Sequence, residues 1–188
     1  MTQQIKDTLT FERKTYYLNT EIVEKFFNQF PEKRPQTEIC LSALWRGYIA
    51  AFKIKNNELI LHDIQWLKNM DLELESKLNT IFTTPKADWY SGLIRIDNFR
   101  GEFDLEPENG IFEYLEIAKG NFIRKWTFTY PELQAFKEEQ YEYFMMSDEL
   151  ENVYDFYRRN NENGLVNKES VNKIIKKYLM DYLTEVYI

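Results

Sequence analysis

The segment LWRGYIAAFKIKNNELILHDI, from Leu44 to Ile64, decides the fold because it predicts one long β-hairpin. In its first half, the residues that share one face of the predicted strand are Tyr48, Ala50, Phe52 and Ile54. This alternation with a period of two is typical of a strand that buries one face. Lys55-Asn56-Asn57-Glu58 has the composition of a turn, and Leu59 to Ile64 returns as the second strand. The segment therefore predicts a β-rich core, and it contains no catalytic motif.

Length and composition favour a single cytoplasmic domain. The chain has 188 residues, of which 44% are hydrophobic, so it can bury a sizeable core. Its single cysteine, Cys40, excludes an internal disulfide and indicates a reducing compartment. No basic stretch followed by an apolar run occurs near Met1, and no apolar stretch is long enough to cross a bilayer. We expect one domain over residues 1–188, with a β-rich core at 1–129 and a packed helical segment at 130–188.

The rest of the pattern predicts an α+β fold with an antiparallel, β-rich region from about Leu9 to Thr129. Thr20 can cap a helix that extends to Phe30, has an apolar stripe and is stopped by Pro31. Trp66 to Phe82 is expected to be a loop with one or two helical turns. The further predicted strands are Leu93 to Asp97, Glu102 to Leu105, Phe112 to Ala118 and Phe122 to Thr129. We expect one antiparallel sheet that is either curled or a partly open barrel.

Helical spacing begins at Thr129. Thr129-Tyr130-Pro131-Glu132 has the spacing of a capping box, with proline in the first turn. Ser147 or Asp148 starts a second helix, which is expected to end near Asn163-Gly164. Asn167 is expected to cap a final helix. This part of the chain therefore predicts a C-terminal helical hairpin that packs on the sheet.

The charge distribution predicts the class of partner. The net charge is −7, from 31 acidic and 24 basic residues. Acidic residues predominate between Asp97 and Lys119, and again between Glu132 and Glu151, where Lys137 is the only basic residue. Because nucleic-acid affinity depends largely on Lys and Arg that neutralise phosphates, we expect no nucleic acid as partner. We expect no membrane partner either, because no apolar stretch is long enough to cross a bilayer. We expect a basic protein instead; the alternative is an acidic face that only keeps the protein soluble.

Few residues offer catalytic or metal-binding chemistry. His62 is the only histidine and Cys40 the only cysteine, which excludes the usual zinc sites and leaves a Cys40–His62 nucleophile pair as an alternative. A calcium-loop pattern between the last two predicted helices fails, because Arg159 and Ser170 stand where ligands are required. Asp104 to Gly110 has carboxylates at alternate positions, which suits either a hard cation or a solvent-facing loop. We predict no catalytic residue, no metal site and no cofactor.

The aromatic residues indicate a candidate binding surface. Most of the 14 Phe, 13 Tyr and 4 Trp are expected to form the core. Two aromatic clusters stand directly before predicted strands, beside Arg and Asp, which is the composition of interaction hot spots. The candidate binding residues are Trp45, Arg46, Tyr48, Asp88, Trp89 and Tyr90. We expect Trp45 and Trp89 to lie near one another, because Gly47 and Gly92 permit close backbone approach. The alternative is that these rings close the ends of the sheet.

The hairpin segment resembles part of a group of bacterial proteins that carry an LWRGYxAxFxI…LxLxDI pattern, here Leu44 to Ile64. Those proteins have a second aromatic segment similar to ADWYSGL, here Ala87 to Leu93. The resemblance covers the chain up to its helical C-terminal part, and it implies no known activity. In size, acidity and aromatic content the chain is also similar to immunity proteins of bacterial toxin systems.

These observations favour a non-enzymatic protein-interaction module of a bacterial cytoplasm, of an immunity type that binds a basic partner. One alternative is a hydrolase or lyase with tyrosines and carboxylates in a cleft, which would gather some of Asp63, Asp88, Asp97 and Glu113. Another is a small-ligand-binding β-barrel, which requires an apolar cavity inside the sheet. The sequence does not choose an oligomeric state.

Overall fold

The computed structural model describes residues 4–35, 41–69, 73–97, 107–161 and 167–187. The strands are β1 (Thr8–Phe11), β2 (Lys14–Tyr17), β3 (Tyr48–Lys55), β4 (Glu58–Leu67), β5 (Leu74–Ser76), β6 (Gly92–Arg95), β7 (Ile111–Ala118) and β8 (Asn121–Thr129). The helices are α1 (Ile22–Gln29), α2 (Leu78–Ile81), α3 (Tyr130–Phe144), α4 (Asp148–Arg159), α5 (Lys168–Lys177) and α6 (Leu179–Tyr182).

The eight strands form one open sheet in the order β2-β1-β3-β4-β8-β7-β6, with β5 paired to β4. Only the pairing of β1 with β3 is parallel among the described strand pairs. The predicted α+β class, the mostly antiparallel sheet, the N-terminal helix and the C-terminal helix pair are all confirmed.

The hairpin that the sequence predicts most clearly is present as β3 and β4. Its pairs run from Tyr48↔Trp66 to Lys55↔Glu58. The two turn residues, Asn56 and Asn57, have φ angles of 52° and 60°. Asparagine tolerates this left-handed backbone better than most residues do, so the turn chemistry agrees with the alternation of the two strands.

A second hairpin, β7 and β8, is joined to the first one by strand pairing only at its tip, among the described residues. The single residue pair between β4 and β8 is Glu58↔Asn121. Next to it, the N–H of Leu59 donates to the carbonyl of Gly120 at 2.8 Å. Gly120 has φ +71°, and a Cβ there would lie 2.7 Å from the carbonyl oxygen of Ala87. Only glycine fits this junction. Here the sheet divides into two parts, which we call its leaves: β2-β1-β3-β4 with β5, and β8-β7-β6.

Strand β7 contributes to two hydrophobic cores. Leu115 and Ile117 belong to the core that α1 forms with β1 to β4. Phe112 and Tyr114, on the opposite face, belong to the core that the C-terminal helices form with β8. The helices therefore pack on the sheet, as the sequence predicts.

The predicted caps have mixed outcomes. The carboxylate of Glu132 accepts hydrogen bonds from the backbone N–H and the hydroxyl of Thr129, so the predicted capping box is confirmed. Asn167 also caps its helix, because its side-chain oxygen accepts from the N–H of Ser170 at 3.1 Å. At α1, the predicted cap by Thr20 is wrong: Glu21 occupies the cap position and makes no side-chain cap hydrogen bond.

Two segments differ from the prediction. The expected loop over Trp66 to Phe82 contains the end of β4, which continues to Leu67, and β5, which pairs with it. The final helix is interrupted at Tyr178, whose backbone (φ −112°, ψ 27°) is not helical, and this separates α5 from α6. The predicted strand from Glu102 to Leu105 lies outside the described residues.

Candidate functional site

The six predicted binding residues do not form one surface. Trp45 is 56% exposed and Asp88 is exposed, whereas Trp89 is half-buried. Tyr48 and Tyr90 are fully buried, and Arg46 is only 6% exposed. Three of the six are therefore part of the interior of the protein.

The expectation that Trp45 and Trp89 lie near one another is wrong. Trp45 precedes the start of β3, whereas Trp89 follows Ala87, whose N–H donates to Leu59 at the other end of the β3–β4 hairpin. The two glycines serve different purposes. The N–H of Gly47 closes a turn onto Leu44, and Gly92 packs against the carbonyl of Leu183.

Arg46 forms a buried ion pair with Asp7. Its two terminal nitrogens donate to the two carboxylate oxygens of Asp7 at 3.0 and 3.2 Å, and one also donates to the carbonyl of Ile5 at 2.9 Å. Asp7 additionally accepts from the N–H of Ala50 at 2.8 Å. Each charge is thus satisfied inside the protein, and Arg46 ties the N-terminal segment to the hairpin.

Tyr48 lies next to this pair and is equally structural. Its hydroxyl donates to Glu24 of α1 at 2.8 Å, and its ring stacks on Trp66 with centroids 5.1 Å apart. Burial and the carboxylate of Glu24 raise the pKa of Tyr48 far above its ordinary value. The hydroxyl therefore stays protonated and acts as a donor between α1 and β3.

Trp89 lines an aromatic cleft of about 520 Å³ between α1 and the segment after α2. Its ring lies 5.2 Å from that of Phe26 and 6.1 Å from that of Phe82. The Nζ of Lys33 lies 4.8 Å from the ring centre of Phe30 at the rim. This cleft brings two predicted binding residues, Asp88 and Trp89, together with rings that the sequence does not group with them.

The carboxylates that the enzyme alternative requires are not gathered. Asp63 accepts from Ser76 at 2.6 Å, and Asp97 pairs with Arg95 at 2.7 Å. Glu113 pairs with Lys125. Asp97 and Glu113 lie on opposite faces of the β6–β7 pair, because Arg95 and Asp97 share the face of Phe112. Asp88 is exposed on another segment.

A different cleft, of about 810 Å³, lies between α1, α4 and the segment around α6. Lys25, Glu149, Asp181 and Tyr182 line it. Burial lowers the pKa of the Lys25 ammonium, and the nearby carboxylates Asp181 and Glu149 oppose this shift. One carboxylate oxygen of Glu149 is buried without a hydrogen-bond partner among the described residues. No sequence pattern links these residues, because they come from elements that are far apart in the chain.

Helix α3 presents an acidic surface with exposed apolar side chains. Glu139, Glu142, Tyr143 and Met146 are exposed and lie on one side of α3 and the turn after it; we call these four residues the α3 acidic face. Met146 is 77% exposed and Tyr143 42% exposed. Glu138 pairs with Lys176 at 2.8 Å, but within the described ranges neither Glu139 nor Glu142 has an ion-pair partner.

This arrangement does not serve the stability of the helix. The C-terminal end of a helix carries a partial negative charge and favours basic side chains. The last turn of α3 has no basic residue, and Glu138, Glu139 and Glu142 all lie in its C-terminal half. Glu142, in the last turn, therefore lies at the unfavourable end of the helix dipole.

Metal, membrane and family comparisons add no assignment. Within the described ranges, no three His, Cys, Asp or Glu side chains are grouped so that they would hold a metal ion. In the same part of the chain, none of the helices has the length and apolar character needed to cross a bilayer. No model of a protein family matches this sequence, and comparison with curated proteins and with solved structures gives no significant match.

Proposed function

We propose that this chain is a non-enzymatic protein-interaction module that binds a basic protein through the α3 acidic face. In its narrower form, the proposal is an immunity-type protein of a bacterial cytoplasm whose partner is a basic toxin. The observation that carries it is the pair of carboxylates, Glu139 and Glu142, that have no ion-pair partner among the described residues and stand next to the exposed Tyr143 and Met146.

The chemistry of this face suits a basic protein. Carboxylates steer a basic partner toward the surface and set the orientation of the encounter. Tyrosine and methionine then supply adaptable apolar contacts, and tyrosine is common at binding hot spots. Tyr143 is held in place because its ring stacks on Tyr187 at 5.5 Å. A partner that placed Lys or Arg beside Glu142 would also offset the unfavourable position of this carboxylate at the C-terminal end of α3.

Binding to the basic proteins encoded by neighbouring genes tests this proposal. We expect binding by calorimetry at roughly 50 mM salt and weaker binding at roughly 500 mM, because added salt screens the charges. Glu139→Lys/Glu142→Lys should weaken binding about tenfold or more. The matched control is Glu32→Lys/Glu108→Lys, which changes the net charge equally at two exposed positions elsewhere. No binding at low salt, or an equal loss in the control, would contradict the proposal.

A hydrolase or lyase remains the second candidate, and the Lys25 cleft is the observation that favours it. The cleft combines a desolvated ammonium, the carboxylates Glu149 and Asp181 and the hydroxyl of Tyr182. Such groups support proton transfer when a substrate is bound between them. A small-ligand barrel has no support, because the sheet is open.

A further inference from the structure

Among the described residues, no strand is hydrogen-bonded to the outer edge of β8 over most of its length. Asn121 pairs with Glu58, and the N–H of Phe122 donates to the carbonyl of Asn57 at 2.8 Å. Beyond these two residues, β7 is the one described strand that pairs with β8. Its exposed side chains include Ile123, which is 45% exposed. An unpaired edge of this kind is a template for another strand.

The register identifies the backbone groups that point outward. The N–H of Ile96 donates to the carbonyl of Glu113, so the backbone of residue 113 is directed toward β6 and away from β8. The direction of the backbone groups alternates along a strand, so the N–H and C=O of Leu115 point the same way as those of Glu113. The β8 residues opposite these two therefore direct their own N–H and C=O groups away from β7. These residues are Lys125 and Thr127. In the described part of the chain, their N–H and C=O groups have no hydrogen-bond partner.

The usual protections of a sheet edge are weak at β8. Edge strands are commonly short or carry free charges. The strands at the two ends of the sheet, β2 and β6, have 4 residues each, whereas β8 has 9. Its two charged residues are neutralised by the neighbouring strand: Arg124 pairs with Glu116 at 3.3 Å, and Lys125 pairs with Glu113.

We propose that β8 pairs with β8 of a second copy of this chain, antiparallel across a two-fold axis at Trp126. In this register Lys125 lies opposite Thr127 of the second copy, and the reverse pair follows by symmetry. The outward N–H and C=O groups of both copies then form about four hydrogen bonds.

The side chains favour a second copy over an unrelated strand. No like charges lie directly opposite each other in this register, because each Lys125 faces a threonine. Trp126 meets its own counterpart on the face where it already stacks on Phe128 at 5.7 Å. Aromatic pairs across neighbouring strands stabilise a sheet. The pairing uses no residue of the α3 acidic face, so it does not depend on the proposed function.

Proline substitutions test whether β8 or β2 is the edge that pairs with the second copy. Thr127→Pro removes an outward N–H and leaves the β7–β8 ladder intact, and proline is tolerated at such edge positions. By sedimentation velocity over a range of concentrations, we expect the unmodified chain to dimerise and Thr127→Pro to be a monomer. The matched control is Thr15→Pro, which removes the outward N–H on β2, the edge at the other end of the sheet, and should still dimerise.

Cysteine cross-linking tests the register and does not depend on a proline variant that folds. Lys125→Cys/Thr127→Cys should give a disulfide-linked dimer on oxidation, because residues 125 and 127 of the two copies face each other. Thr15→Cys/Tyr17→Cys on β2 should give none. A monomeric unmodified chain, a dimeric Thr127→Pro variant, or cross-linking through β2 instead of β8 would each overturn the proposal. Capture of a different protein by β8 without self-pairing would overturn it as well.

Discussion

At the scale of the residue, neighbours in sequence have opposite roles. Trp45 is exposed, whereas Arg46 is buried against Asp7, 39 positions earlier in the chain. The sequence predicts strand β3 well, because its alternation is local. It does not predict the Arg46 pair, because nothing near Arg46 indicates a carboxylate from the segment that precedes β1. The aromatic neighbours of Arg46 predict a surface role. Its position is decided instead by the ion pair with Asp7, which no local pattern indicates.

Substitutions at these two neighbours should have very different costs. Arg46→Met should lower the free energy of unfolding by about 3 to 5 kcal/mol, because it leaves the Asp7 carboxylate buried without its cation. Trp45→Ala should change it by less than about 0.5 kcal/mol, as is usual for an exposed side chain. Urea denaturation measures both. The double variant Asp7→Leu/Arg46→Met should recover part of the loss, and equal costs for Arg46→Met and Trp45→Ala would contradict this assignment.

At the scale of the element, local signals predict the starts of helices where a side chain can reach the backbone. Thr129 with Glu132, and Asn167, are read correctly because their hydrogen bonds close within three residues. The start of α1 is predicted incorrectly, because Glu21 stands at the cap position and its carboxylate pairs with Arg46. Strand β5 is missed because three residues with no clear alternation become a strand only by pairing with β4. Long-range partners decide these cases.

The capping box of α3 should make its contribution dependent on pH. The hydrogen bonds from Thr129 hold the pKa of Glu132 below its ordinary value of 4.5. The stabilisation by this carboxylate is therefore present above pH 4.5 and is lost as the pH falls through the lower pKa of the folded state. Glu132→Ala should lower the melting temperature at neutral pH, and the difference from the unmodified chain should shrink toward pH values below that pKa.

Glu139→Ala is the matched control in the same helix. It removes an exposed carboxylate that has no ion-pair partner among the described residues, and alanine is the best helix former, so it should not lower the melting temperature at neutral pH. A pH-independent loss in Glu132→Ala would show that the cap acts through something other than its charge.

At the scale of the whole molecule, the two leaves of the sheet meet at the tips of two hairpins. Strand β7 contributes side chains to both hydrophobic cores. The sequence predicts both hairpins but not their contact, which depends on Gly120 lying against Ala87. The predicted extent of one domain stays a prediction. Because Leu115 and Phe112 of one strand belong to different cores, we expect the two cores to unfold together.

Gly120→Ala tests this coupling. The change places a Cβ 2.7 Å from the carbonyl oxygen of Ala87 in a left-handed backbone, and it should cost at least about 2 kcal/mol. Lys119→Gly, at the neighbouring position with φ 47°, should change stability by less than about 1 kcal/mol. Both variants should unfold in a single calorimetric transition. Two separate transitions would mean that the leaves are independent.

The position of β7 between two cores also has a consequence for synthesis on the ribosome. The first core includes Leu115 and Ile117 of β7. The hairpin at residues 48–67 therefore cannot bury its apolar face completely until β7, which is synthesised much later, has emerged. Once β7 and β8 have emerged, the apolar side chains on their other face stay exposed until α3 to α6 have been synthesised. The nascent chain thus exposes apolar surface until its last helices are made, and we expect its yield in the cell to depend on chaperones that shield such surfaces.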